Sequence, residues 1–205
     1  CEILNTAEEE NWPVISLSIG VNDLECYAFD QFAERSSSVD YLTLDVAHAH
    51  SHNVRRAIRI IKSSFPDTFL IVGNVATSKA VMDLEDWGAD AIKVGIGGGS
   101  PCSTKYKTGF TVPMFSCVQS CAGPANVPII ADGGITHHGD VAKALVAGAD
   151  MVMAGNLFAA CKNGPAETIV RAAGNSYDKM YYGSASARNK RHSKHLEGLE
   201  IVIPG

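Results

Sequence analysis

No stretch of the chain is apolar for long enough to cross a bilayer as a helix. Nothing reads as a secretory signal, and the chain starts at Cys1 rather than Met, as an internal piece of a longer protein does. The six cysteines, Cys1, Cys26, Cys102, Cys117, Cys121 and Cys161, have neither disulfide-framework nor zinc spacing. They read as reduced thiols, which with the absent membrane signals gives a cytoplasmic expectation and no membrane partner. Excess positive charge is also lacking. A net charge of -5 argues against nucleic-acid binding, which usually needs a basic face. It leaves room for a small anionic ligand, because a local site can oppose the global sign.

What is present suits one globular α/β domain. The 205 residues are 46% hydrophobic and 19% charged, with nineteen glycines for tight strand–helix loops. Short β-branched runs alternate with helical stretches. Strands are expected at Val14–Ile19, Tyr41–Val46, Thr68–Val72, Ala91–Val94, Pro128–Ala131 and Met151–Ala154. Helices are expected near Asp23–Arg35, at Asn53–Ser64, at Thr77–Trp87, after Pro113 and at Asp140–Ala147. In the second of these, Val54, Ala57, Ile58 and Ile61 share one face at helical spacing. Thr77 or Ser78 is a natural N-cap for the next, and Gly88 a natural stop. Cys117 and Cys121 are four apart, as on one packed helix face. From Cys161 the periodicity fades, and 161–205 reads as a polar tail or flap on a single, partial domain spanning 1–205.

Six strand–helix units in succession imply a parallel sheet, either open and doubly wound or closed into a barrel. The strand ends favour the barrel. Asp45, Asn74, Gly95, Asp132 and Gly155 all follow strands, at the end where a barrel gathers its active site. Closure takes eight strands, so about two units are expected before Cys1.

The segment Gly95–Thr104 reads GIGGGSPCST. Its glycines follow a strand directly, so backbone N–H groups there can approach an anion closely. Cys102 sits in this loop without apolar periodicity. Read alone, it fits a thiolate nucleophile among backbone dipoles and fits a bystander in a turning loop equally well. No helix opens directly from the loop, which excludes a dinucleotide fingerprint. Asp132-Gly133-Gly134 and Gly155-Asn156 follow later strands, where phosphate-binding barrels hold their anion. Asp132 would repel phosphate but can accept from ribose hydroxyls; a plain strand-end turn is the other reading. His48, His50 and His52 alternate after Asp45 with no carboxylate to complete a metal set, and read as polar loop residues lining a site. His137 and His138 open a helix and read as surface residues.

These residues carry a family likeness. LDVAHAHS (Leu44–Ser51), GNVAT (Gly73–Thr77), ADAIKVGIGGGSPCSTKYKTG (Ala89–Gly109), IIADGGI (Ile129–Ile135), DVAKALVAGADMVMAGNLFA (Asp140–Ala159) and YYGSAS (Tyr181–Ser186) together resemble the IMP dehydrogenase/GMP reductase family. The likeness runs from about Trp12 to the end of the chain. Within the family, Lys107–Gly109, the HAHS segment and the short tail resemble the GMP-reducing branch, and the Arg-Tyr pair of the dehydrogenase flap is missing.

The resemblance implies a (β/α)8 TIM barrel, usually a homotetramer, that lacks its N-terminal units and last helix here. It implies NADPH-dependent reductive deamination of GMP to IMP and ammonia, through a covalent cysteine thioimidate. It assigns Cys102 as nucleophile, with Thr104 and Glu197 handling the leaving ammonia. Ser100, Asp132, Gly134, Gly155, Asn156 and Ser184 match nucleotide-binding positions, and Asp45 lies on the cofactor side. Backbone carbonyls of Gly95, Gly97 and Cys102 match a monovalent-cation site, with potassium the expected ion. The chain departs from the family at Gly98, usually Pro, at Pro101, usually apolar, at Ala49, usually Gly, and at Gly123-Pro124 in an expected helix. Alternative readings are an IMP dehydrogenase oxidising IMP to XMP with NAD, an inactive nucleotide-binding homologue, and an unrelated phosphate-binding barrel such as an isomerase.

Overall fold

The structure is a computed structural model that describes residues 2–21, 39–171, 176–183 and 200–204. The helix expected near Asp23–Arg35 lies outside these residues, as do Ser184 and Glu197. The chain divides into two compact bodies, Cys1–Val94 with Ser120–Ile130, and Gly95–Gln119 with Ala131–Gly205.

The first body opens with helix α1 (Glu2–Glu9), which the sequence reading did not anticipate. Leu4 and Ala7 of its short acidic turns are buried, with Ile15 and Val39. Strands β1 (Ser16–Ile19), β2 (Tyr41–Asp45), β3 (Phe69–Val75) and β4 (Ala91–Val94) follow in parallel. Ile19 pairs with Leu44, Leu44 with Val72, and Val72 with Ile92. Parallel neighbours need a crossover. Helix α2 (His52–Ser64) makes it between β2 and β3, and α3 (Ser78–Trp87) makes it between β3 and β4. Leu42, Leu44, Leu70, Val72, Ile92 and Val94 are fully buried, as expected of strands covered on both faces.

Helix α2 buries Val54, Ala57, Ile58 and Ile61, the face read from the sequence. Ser51 caps it, its hydroxyl oxygen accepting the Val54 N–H at 3.4 Å. Thr77 caps α3 in the same way toward Ala80, at 3.3 Å. Strand β3 runs three residues beyond its expected end. Gly73 and Asn74 are poor strand formers, but pairing to β4 continues through an irregularity between Gly73 and Val75. The segment 120–130 joins this body through the Ile92 N–H, which donates to the Pro128 carbonyl at 2.9 Å.

The second body holds the Cys102 loop, the short helix α4 (Thr104–Lys107) and most of α5 (Met114–Ala122). Cys117 and Cys121 of α5 are fully buried, as their spacing implied. Strand β5 (Ile129–Asp132) ends in this body, which also carries α6 (His138–Val146), β6 (Met151–Met153) and α7 (Asn156–Ala159). Part of the segment expected to be a polar tail or flap forms an antiparallel sheet of β7 (Thr168–Val170), β8 (Tyr177–Tyr182) and β9 (Glu200–Pro204). Thr168 pairs with Lys179, and Tyr182 with Glu200. Arg171 forks onto Asp178 at 3.1 and 2.6 Å. No helix among the described residues is long and apolar enough to cross a membrane.

Candidate active site

In the second body the Cys102 loop lies backbone to backbone against the turn after β5. A methyl built on Gly133 would stand 2.9 Å from both the Gly98 carbonyl carbon and the Gly99 nitrogen. Gly133 also has a φ of 111°, so neither the space nor the conformation admits a side chain. This contact brings the loop of Gly95, Gly97, Ser100 and Cys102 beside Asp132 and Gly134, residues some thirty positions further along the chain.

Cys102 is half-buried, and its N–H donates to the Gly99 carbonyl at 3.1 Å. Thr104 opens α4, and its carbonyl accepts the Thr108 N–H at 2.9 Å and the Thr108 hydroxyl at 2.8 Å. Pro101 is buried, and a methyl on Gly183 would stand 3.5 Å from its ring. The end of β8 therefore comes against the residue preceding the cysteine. Gly98, where the family usually has Pro, faces Met114, whose Cγ and Sδ would lie 2.8 Å from a methyl there.

Gly155 and Asn156 join this constellation through a residue to which the sequence reading gave no role. The Tyr181 hydroxyl occupies the space where a side chain on Gly155 would project. Burial, and after it the negative charge of Asp132, raise the Tyr181 phenol above its ordinary range. It therefore remains a protonated donor at neutral pH. A cavity of about 160 Å³ lies beside Gly133 and Gly134, lined by Met114, Val118, Ile135 and Lys143. It is smaller than a nucleotide needs, and Cys102 does not line it.

Asp45 belongs to the first body. Lys93 of β4 is 2% exposed, and its ammonium donates to Asp45 Oδ1 at 3.0 Å and to Asn74 Oδ1. Adjacent strands thus supply a carboxylate, an amide and a cation. The carboxylate is 51% exposed. Lys93 was missed because a lysine inside a strand reads as an interruption of the apolar pattern. His50 is tied to Asp83 of α3 at 2.7 Å, and its ring stacks on Trp87 of the same helix, so it holds the loop before α2 against α3. His137 and His138 are exposed, as read. Among the described residues no group of three or more His, Cys, Asp or Glu side chains is placed to hold a metal.

The chain matches the IMP dehydrogenase/GMP reductase domain over residues 5–200. It belongs to the IMP dehydrogenase/GMP reductase family. It is 51% identical over 188 residues to a GMP reductase of Chromobacterium violaceum, covering 92% of this chain and 59% of that protein. It is 49% identical over 192 residues to a GMP reductase of Leptothrix cholodnii, covering 93% and 58%. A crystal structure of a GMP reductase from Trypanosoma brucei, in complex with guanosine 5'-monophosphate, superposes with a TM-score of 0.81 at 31% identity. That match covers 93% of this chain and 42% of the other. The fold is therefore that of the family's (β/α)8 barrel, of which this chain carries a part. The chain spans less than two thirds of the length of these relatives.

Proposed function

We propose that this chain carries the catalytic portion of a GMP reductase, an oxidoreductase that converts GMP to IMP and ammonia with NADPH in purine nucleotide interconversion. The observation that supports this best is the second body's convergence of Cys102, Asp132, Gly134, Gly155 and Tyr181 around one close backbone contact.

The proposed roles follow from chemistry. The 2-amino group of guanine is a poor leaving group while the ring stays conjugated. Addition of the Cys102 thiolate to the 2-carbon breaks that conjugation, splitting one hard step into two easier ones. Thr104 and Glu197 relay a proton to the amino nitrogen, which departs as ammonia and leaves a thioimidate. NADPH supplies the hydride that this carbon requires. The thiolate is then expelled, and the overall balance is GMP, NADPH and two protons giving IMP, NADP+ and ammonium.

Ser100, Gly134, Gly155 and Asn156 hold the phosphate, chiefly through backbone N–H groups, and the Tyr181 hydroxyl adds a donor beside them. Asp132 accepts from the ribose hydroxyls, and Ser184 adds a hydroxyl to the nucleotide. Asp45 and Asn74, held by Lys93, suit the polar part of the dinucleotide. The carbonyls of Gly95, Gly97 and Cys102 are neutral oxygens of one loop, a donor set that suits potassium. The tail 161–205 serves as a flap over the site, and the working assembly is a cytoplasmic homotetramer.

The test mixes the protein with GMP and NADPH and follows the reduced cofactor's absorbance. Loss of signal that depends on GMP, and that Cys102→Ala abolishes while GMP still binds, is expected. Turnover of IMP with NAD instead would identify a dehydrogenase. Absence of both reactions, with GMP bound, would identify a non-catalytic nucleotide-binding homologue.

A further inference from the structure

Lys179 is 2% exposed, and none of the proposed chemistry uses it. Its ammonium points into a cage of oxygens: the carbonyls of Gly164 and Ala166 at 3.1 Å, that of Lys162 at 3.4 Å, and the Thr168 hydroxyl at 2.7 Å. None of these four acceptors is charged. A buried cation is costly unless it is fully hydrogen-bonded, and three ammonium protons shared among four oxygens meet that need. The same bonds gather the carbonyls of a segment with no regular structure of its own, residues 160–167.

Side chains two apart on a strand share a face. Tyr177, Lys179 and Tyr181 do so on β8, and all three address the chain that follows β6. The Tyr177 hydroxyl donates to the Ala160 carbonyl at 3.3 Å. Lys179 gathers the carbonyls of 162, 164 and 166. The Tyr181 hydroxyl stands against Gly155. The Met180 N–H, between them, donates to the Glu167 carbonyl at 3.0 Å. One strand face thus sets where the loop beginning at Gly155 lies.

We propose that Lys179 is a positioning residue for nucleotide binding: its buried ammonium fixes the 160–168 segment on β8, so that the Tyr181 hydroxyl stays seated at Gly155. The inference rests on the reading that Gly155 and Asn156 hold the substrate's phosphate. It makes affinity for the phosphate, rather than for the purine, depend on a side chain that touches no ligand. Arginine does not replace it, because a planar fork cannot direct protons to oxygens arranged around a point.

The test measures binding of GMP and of guanosine, which lacks the phosphate, to the full chain as wild type, Lys179→Met, Tyr181→Phe and the double variant. The Tyr181 phenol is titrated by ultraviolet difference against Tyr181→Phe. Lys179→Met is expected to weaken GMP binding about 10-fold, the worth of one hydrogen bond to a charged group, and to leave guanosine binding unchanged. The double variant is expected to lose no more than Tyr181→Phe alone, and the raised Tyr181 titration to fall toward its ordinary range in Lys179→Met. Equal losses for both ligands, unchanged GMP binding, or additive losses would overturn the proposal. Should the wild type bind GMP and guanosine alike, the phosphate reading fails on its own. The titration then decides whether Lys179 seats Tyr181. If Lys179→Met does not fold, Thr168→Val removes one acceptor, and the same split at smaller size is expected; its absence overturns the proposal.

Discussion

The ammonium of Lys93, at the centre of a buried strand, reaches 3.0 Å to Oδ1 of Asp45, a carboxylate that is half in solvent. The two residues differ in what their loss does. Asp45 can rehydrate, whereas Asn74, whose oxygen shares the ammonium, is half-buried.

Lys93→Met is therefore expected to destabilise the protein by about 1–3 kcal/mol, the cost of leaving a buried polar group short of its partner. Urea unfolding followed by tryptophan fluorescence reads this directly, since Trp12 and Trp87 lie in the same body. A midpoint equal to wild type would show that the ammonium holds nothing that matters to the fold.

Gly155 is required for space, since its φ of -84° suits any residue. Gly155→Ala puts a methyl where the Tyr181 hydroxyl lies. Overpacking of this kind costs about 1–3 kcal/mol, and GMP affinity should fall with it. Adding Tyr181→Phe removes the obstructing oxygen, and the thermal midpoint is expected to recover although the affinity does not. A double variant less stable than Gly155→Ala would show that the two residues do not oppose each other.

At the start of α6, the Asp140 carboxylate accepts the N–H of Thr136 at 3.1 Å and that of His137 at 3.0 Å. These bonds, Thr136's first, lower its pKa from 3.8 to about 2. A depressed carboxylate stabilises the fold above its unfolded pKa, and the contribution disappears as pH falls through the folded value. The stability difference between wild type and Asp140→Asn should therefore be constant above pH 4 and shrink between 3.8 and about 2. A difference that held its size down to pH 2 in denaturant titrations would contradict the assigned bonds.

Glu197→Gln keeps the shape of the side chain but cannot shuttle a proton. Ammonia release should slow by roughly 10²–10⁴-fold, the usual worth of general acid–base catalysis. Glu200→Gln, three residues on and outside the matched motif, should be nearly neutral in single-turnover measurements. Equal rates for the two variants would remove Glu197 from the mechanism and leave the role of Cys102 standing.

Much of this architecture is legible in the residues because periodicity is written in apolar side chains. Val54, Ala57, Ile58 and Ile61 announce α2, and Thr77 with Gly88 bounds α3. The strand ends at Asp45, Asp132 and Gly155 were visible for the same reason. Lys93 and Lys179 were not, because a buried cation looks like any exposed lysine until its oxygens are found. Tyr181 was hidden by its setting. The strand Tyr177–Tyr182 alternates residues of mixed character, and its partner β7 is exposed throughout, so no two-residue apolar rhythm survives. The contact between Gly98 and Gly133 was beyond reach for another reason. Glycine states that room is needed but not by what.

That contact bears on how saturation mutagenesis of this protein would read. At Gly133 every substitution drives atoms into the Gly98–Gly99 backbone, which has no rotamer with which to yield. At Gly98 the first obstacle is the flexible Met114 side chain, with the Gly133 backbone behind it at 3.4 Å. Fitness maps would therefore score the first position as intolerant as any reacting group and the second as conditionally permissive. Variants that shorten residue 114 would relax the second and leave the first untouched. A site inferred from intolerance alone would then include a residue whose whole contribution is to have no side chain.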